Sequence, residues 1–166
     1  MKTTYLFQYG KGNIGGTLIR QILRHGGALA AQHDIKLEYI GFCGQEQVVL
    51  SQEGLNSALT GGDAINKVLE EHPDSRAYDS AYELLEEAIR LSRSNLCVID
   101  STSGELTDIH LGCLRQGIPV ITANKKPATD EYTAYEEIQR LGRREKKLYW
   151  YETTAGAGLP VISTLQ

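Results

Sequence analysis

Gly10, Gly12 and Gly15 stand in the spacing G-x-G-x-x-G, within the run Gly10-Lys11-Gly12-Asn13-Ile14-Gly15. In this pattern the first glycine makes a tight turn and the second lets the backbone approach a pyrophosphate. The third lets a helix pack closely on a strand. A helix starting here would present free N–H groups and a partial positive charge to phosphates. Gly10, Gly12, Asn13, Ile14 and Gly15 are therefore the first candidate binding residues. The bland alternative is a glycine-rich turn that holds nothing. Context weighs against it: a strand-like run, Thr4-Tyr5-Leu6-Phe7-Gln8-Tyr9, precedes the glycines, and an apolar helical pattern (Ile14, Leu18, Ile19, Ile22, Leu23) follows at once.

Two further residues could do chemistry. Lys125 follows a short apolar strand, where an ammonium could stabilise an oxygen that gains negative charge; otherwise Lys125 and Lys126 form a solvated turn before Pro127. Glu152 follows the last apolar strand and precedes a loop with glycines at 156 and 158. Such a carboxylate can gather main-chain carbonyls around a cation, and hard oxygen ligands suit an alkali or alkaline-earth ion. The alternatives are a surface glutamate, or a cap on a helix starting at Pro160. Cys43, Cys97 and Cys113 are odd in number and widely spaced, which reads as buried free thiols in a reducing cytoplasm. His25, His33, His72 and His110 show no ligand spacing, among themselves or with the cysteines, which argues against a transition-metal site.

The elements that must position these groups alternate along the chain. Strands are expected near 3–9, 36–43, 95–100, 119–122 and 147–151, and the glycine-loop helix near 13–25. Gly26-Gly27 interrupts that helix, although Ala28-Leu29-Ala30-Ala31 could continue it. Residues 44–62 have no firm period and read as a long loop with short helical pieces. Further helices are expected near 63–71, after the capping box Ser80-Ala81-Tyr82-Glu83, and through Leu106, Ile109, Cys113 and Leu114 up to Gly117. A last one is capped by Asp130, with Tyr132, Tyr135, Ile138 and Leu141 as its inner face. The order is that of an α/β fold, a doubly wound parallel sheet of the Rossmann dinucleotide-binding type with helices on both faces. Ligands in such sheets sit at the carboxyl ends of the strands. Three more polar or glycine-rich segments begin there: 100–104, with Thr102 and Ser103 as further cofactor candidates, 123–127, and 152–160. The basic run Arg140, Arg143, Arg144, Lys146 and Lys147 complements a helix C-terminus.

With 166 residues the chain is expected to form one domain, residues 1–166. Charged residues at 23% and hydrophobic ones at 41% fit a soluble globular protein. A net charge of −4 gives no basic face for nucleic acid. No apolar run is long enough to span a membrane, and the N-terminus does not read as a signal peptide.

At the strand-end loops the chain resembles the cofactor-binding domain of homoserine dehydrogenase, in its single-function form or fused to aspartokinase. The matching stretches are Ile99-Asp100-Ser101-Thr102-Ser103, Val120-Ile121-Thr122-Ala123-Asn124-Lys125-Lys126-Pro127, and Tyr151-Glu152-Thr153-Thr154-Ala155-Gly156-Ala157-Gly158-Leu159-Pro160-Val161-Ile162. The resemblance implies reversible hydride transfer between NADP or NAD and aspartate semialdehyde or homoserine, on the route to threonine and methionine, in a cytoplasmic homo-oligomer. It puts Lys125 between cofactor and substrate, as both catalytic and cofactor-binding residue. It also implies a monovalent cation such as sodium, held by Glu152 and the carbonyls of Ala155, Ala157 and Leu159.

Two departures stand out. The family's substrate and dimerisation region lies beyond the equivalent of Gln166, so the chain resembles a fragment, inactive by itself. Lys11 occupies a position where the family usually has a small or apolar residue; it could sit near phosphate or point into water. At the end of the second strand Phe42-Cys43-Gly44-Gln45 offers neither the acid of an NAD site nor an arginine, and the missing carboxylate leans the choice toward NADP. The competing function is a non-catalytic nucleotide-sensing domain of the same fold. Such a sensor would need the glycine loop but not Asn124-Lys125.

Overall fold

The computed structural model describes residues 1–92, 95–143, 148–156 and 164. Its strands are β1 (Lys2–Tyr9), β2 (Ile35–Cys43), β3 (Gln47–Leu50), β4 (Ser75–Ala77), β5 (Leu96–Asp100), β6 (Val120–Thr122) and β7 (Tyr149–Trp150). Its helices are α1 (Asn13–His33), α2 (Ala64–Glu71), α3 (Ala81–Leu91), α4 (Thr107–Arg115), α5 (Lys126–Thr129), α6 (Tyr132–Gly142) and α7 (Thr153–Gly156). One sheet holds the strands in the order β4-β3-β2-β1-β5-β6-β7. The five strands β2-β1-β5-β6-β7 run parallel, as the alternating pattern requires.

Neighbouring side chains on a strand point to opposite faces, and here they feed opposite halves of the core. Leu6, Tyr39, Cys97 and Ile99 join Ile19 of α1 and Ile65 and Val68 of α2 on one face. Phe7, Ile40 and Val98 join Leu84 and Leu85 of α3, Ile109 and Leu114 of α4, and Ile138 and Leu141 of α6 on the other. Both faces of β1 and β5 are thus covered, which explains why Leu96-Cys97-Val98-Ile99 of β5 is a continuous apolar run.

The structure corrects several sequence-based boundaries. α1 continues through Gly26-Gly27 to His33 and ends at Asp34, whose backbone is left-handed. Each glycine costs about 1 kcal/mol relative to alanine, but Ala28 to Ala31 extend the helix and its packing against β2 outweighs the penalty. The segment read as a loop at 44–62 contains β3, which folds back antiparallel on β2, with Cys43 opposite Val48. β4 then adds antiparallel to β3. A four-residue strand and the three residues Ser75-Arg76-Ala77 are too short to show a period. α6 starts after Glu131, and Asp130 instead accepts hydrogen bonds from the Glu131 amide (2.8 Å) and the Thr107 hydroxyl (2.6 Å). Tyr132, assigned to the inner face of α6, is 70% exposed. The described part of the last strand is Tyr149–Trp150, and Arg144, Lys146 and Lys147 of the basic run lie outside the described residues.

The caps at Ser80 and Gly117 follow expectation. Ser80 accepts from the Glu83 amide at the start of α3 (3.3 Å). Gly117 has φ +74° just past α4, where its amide bonds to the Leu114 carbonyl at 3.1 Å.

Candidate functional site

β1 is the strand from which the chain winds both ways, to β2 on one side and, after α3, to β5 on the other. A crevice opens at the carboxyl ends of strands at such a switch point. Here it is a cavity of about 650 Å³, lined by Gly10, Lys11 and Gly12 after β1, Cys43 to Gln45 after β2, and Ser101 to Gly104 after β5, with Tyr78, Ala81 and Leu106. It brings together Gly10, Gly12, Thr102 and Ser103 from the sequence-derived set. Asn13 and Ile14 line a neighbouring cavity of about 490 Å³, with Thr17, Asp100, Ser101, Ala123 and Thr153.

The three glycines do different work. Gly10 turns the chain with φ +90°. Its amide donates to the Cys43 carbonyl at 3.1 Å. Its carbonyl accepts from Gln8 Nε2 at 2.7 Å and Ser101 Oγ at 2.9 Å. Gln8 is fully buried and receives the Tyr39 phenol at 2.9 Å, so side chains from β1, β2 and the loop after β5 together fix the turn. Gly15 lies beneath it: a Cβ there would sit 2.3 Å from the Gly10 carbonyl oxygen and 2.4 Å from Ser101 Oγ. Gly12 is the N-cap of α1, makes no side-chain cap bond, and has nothing within 4 Å of where its Cβ would be. α1 therefore starts beside open space at Gly12, and the N-terminus of a helix suits an anionic group. A side chain at Gly12 would fill that space.

Beside the glycine turn lies a buried polar cluster. Asp100, 1% exposed, ends β5. Its Oδ1 accepts from the Thr102 amide (2.9 Å) and hydroxyl (2.7 Å). Its Oδ2 meets Asn124 Nδ2 and His110 Nε2, both at 2.9 Å. Because a carboxylate only accepts, Nε2 carries the proton, and in the neutral imidazole Nδ1 accepts from the Tyr149 hydroxyl at 3.0 Å. Burial alone would push the Asp100 carboxyl up, but the hydrogen bonds it accepts from His110 and Thr102 hold it below the usual carboxylate range. Asn124 also donates to the Gly104 carbonyl (2.9 Å) and accepts from the Lys126 amide (3.0 Å). The loops after β5 and β6 are thereby joined, and Thr153 Oγ1 ties α7 to the Thr122 carbonyl at 3.2 Å.

Lys125 is exposed at the N-cap of α5, one residue from this cluster, whereas Lys126 pairs with Glu105. Glu152 precedes α7, which contains Ala155; Ala157 and Leu159, assigned to the same cation, lie outside the described residues. The three cysteines are buried and free.

His110, Tyr149, Gln8 and Tyr39 carry no site role in the sequence pattern, and Asn124 stands there only as the neighbour of Lys125 in its motif. One signal was available. His110 lies four residues from both Leu106 and Leu114, on the apolar stripe of α4, where a polar side chain needs a buried partner.

The family model described as "Homoserine dehydrogenase, NAD binding domain" matches residues 10–152. The chain belongs to this family. The homoserine dehydrogenase match is echoed by a bifunctional aspartokinase/homoserine dehydrogenase of Haemophilus influenzae, 30% identical over 99% of this chain and 19% of that protein. A chloroplastic bifunctional aspartokinase/homoserine dehydrogenase 1 of Arabidopsis thaliana is 32% identical over 95% of this chain and 17% of that protein. The chain thus spans about a fifth of the length of these relatives. Among solved structures, a hyperthermophilic archaeal homoserine dehydrogenase in complex with NADPH superposes with a TM-score of 0.70 at 20% identity, covering 99% of this chain and 48% of that one. Homoserine dehydrogenase from Thermoplasma acidophilum gives 0.70 at 19% identity, over 99% and 47%. These two show a shared fold. No helix among the described residues is long and apolar enough to cross a membrane.

Proposed function

We propose that residues 1–166 form the dinucleotide-binding domain of a homoserine dehydrogenase that interconverts L-homoserine and L-aspartate 4-semialdehyde, within threonine and methionine biosynthesis. The observation that carries this is the open space over Gly12 at the start of α1, inside a chain matched by the family from residue 10 to 152. Gly10, Gly12, Asn13, Ile14 and Gly15 would hold the pyrophosphate of NADP or NAD, and Thr102 and Ser103 would line its passage past β5. The nicotinamide, when bound, supplies or accepts the hydride. The buried cluster around Asp100 and Asn124 sets the two loops that flank its reactive end.

Lys125 would place an ammonium beside the substrate oxygen, where it offsets charge as the aldehyde is reduced. Its exposure leaves it accessible to a small-molecule substrate. Glu152 and the Ala155 carbonyl, with Ala157 and Leu159, would hold a monovalent cation such as sodium. In this reading the parent enzyme is a cytoplasmic homo-oligomer, and its substrate groups and oligomer contacts come from a further region.

The test is calorimetric titration of the 166-residue chain with NADPH and NADH, followed by a homoserine oxidation assay. Binding of at least one cofactor without turnover is expected. Binding of neither would overturn the cofactor role, and measurable homoserine oxidation would overturn the division of labour between regions.

A further inference from the structure

We propose that Lys11 reads the adenosine ribose: its ammonium binds a 2′-phosphate and makes the site prefer NADP(H) over NAD(H). This rests on the cofactor role proposed above and assigns the chemical discrimination within it.

Among the described residues that line the crevice, Lys11 is the one charged side chain. Its position within the crevice matters as much as its charge. The side chain passes the end of β2 at Gly44. Its Nζ donates to Asn66 Oδ1 on α2, and a Cβ placed on Gly44 would lie 3.3 Å from its Cε. Any larger residue at 44 would crowd this path, so the glycine after Cys43 keeps it clear. In a doubly wound dinucleotide site the end of the second strand faces the adenosine ribose, and the pyrophosphate sits over the helix N-terminus. Lys11 therefore reaches the ribose side of Gly12.

Three details make the position selective. The residues after β2 that line the crevice, Cys43, Gly44 and Gln45, include no carboxylate to bind ribose hydroxyls or to repel a phosphate. The turn they form is held in place, because the Tyr78 phenol donates to the Gly44 carbonyl at 2.9 Å. Asn66 is itself oriented, since its Nδ2 donates to Asp63 Oδ1 at 2.9 Å, which turns its oxygen toward Lys11. The partner of Lys11 is thus a neutral amide, which positions the ammonium without cancelling its charge. An ammonium has three donors, and the amide uses one. A phosphate carrying about −1.5 to −2 charge can take the others in charge-assisted hydrogen bonds, which are roughly twice as strong as neutral ones. A ribose hydroxyl at the same place offers only a neutral contact.

The experiment is calorimetric titration of the 166-residue chain, its Lys11→Met variant and its Lys67→Met variant, each with NADPH and with NADH. Lys67 is an exposed α2 residue paired with Glu71, so its loss controls for net charge. The unaltered chain is expected to bind NADPH at least about tenfold more tightly than NADH, a difference typical of one hydrogen bond to a charged group. Lys11→Met should erase that preference by weakening NADPH and leaving NADH within about twofold, and Lys67→Met should change neither. Equal affinity for both cofactors in the unaltered chain would overturn the assignment. So would an equal loss for both in Lys11→Met, which would place the ammonium on the pyrophosphate, or no loss for either. These results would leave the cofactor role standing, whereas binding of neither cofactor would remove both.

Discussion

Asn124 donates from Nδ2 to Asp100 Oδ2 at 2.9 Å, across the gap between the ends of β6 and β5. Both residues are buried, at 2% and 1% exposure. The pair ties two separate strand-end loops into one wall, because Asn124 also holds the Gly104 carbonyl and the Lys126 amide.

Asn124→Ala should therefore act on both loops at once. Asp100 and Gly104 each lose a donor; Asp100 keeps His110, but a hydrogen bond to a charged group contributes about 1.5–3 kcal/mol. Urea unfolding should show a loss in that range. Asn124→Asp should be worse, since it sets a second carboxylate against Asp100. A stability change within a few tenths of a kcal/mol for both variants would mean that the cluster is not holding the loops.

Asp100 also makes an acid-dependent contribution. Its folded-state pKa is lowered, so its stabilising effect is fully present above the unfolded carboxylate value of about 3.9 and is lost as pH falls through the lower folded value. Unfolding free energies measured from pH 7 down to pH 3 should fall less steeply below about pH 4 in Asp100→Asn than in the unaltered chain. Parallel acid limbs would show that the carboxylate is not held ionised by His110 and Thr102.

Gly12 and Gly15 should separate binding from folding. Gly12→Val places its side chain in open space and is expected to abolish cofactor binding with little change in melting temperature. Gly15→Ala drives a methyl into the Gly10 carbonyl and should cost about 1–3 kcal/mol by overpacking. Calorimetry and thermal unfolding on both variants check this. Unchanged affinity in Gly12→Val would show that the nucleotide does not use the loop.

In a full-length enzyme carrying this domain, Lys125→Ala should lower kcat by about 10²–10³ and change cofactor affinity much less. An interaction made mainly in the transition state appears in kcat rather than in KM. Lys126→Ala is the comparison, because that side chain is engaged with Glu105. Steady-state kinetics decide. If Lys126→Ala shows the loss and Lys125→Ala does not, the roles are reversed; if neither does, the pair is a solvated turn.

The fold and the glycine turn after β1 were legible because they rest on local signals. Glycine spacing, apolar strand runs and a helix pattern of 3.6 residues all sit within short windows. β3 and β4 escaped because Gln47–Leu50 and Ser75–Ala77 are strands only by virtue of what lies beside them. The same holds for Tyr39, which supports Gly10 through Gln8 from 31 residues away in sequence. Asn124 was visible as part of a motif, but its grip on Asp100 depends on β5 and β6 being neighbours, which no local pattern states. Lys11 was ambiguous for a related reason: its direction is set by Asn66, 55 residues further on.

β4 has one more effect. It is the outermost strand on its side of the sheet, and it is three residues long with Arg76 at its middle. An outer strand with a long free ladder of N–H and C=O groups invites another chain to add on. Here the ladder is brief, and its central side chain is a cation held by Glu87 of α3. The β2–β3 hairpin, with β4 clipped to it, therefore acts as a stop on sheet growth, and it protects this flank from edge-to-edge aggregation.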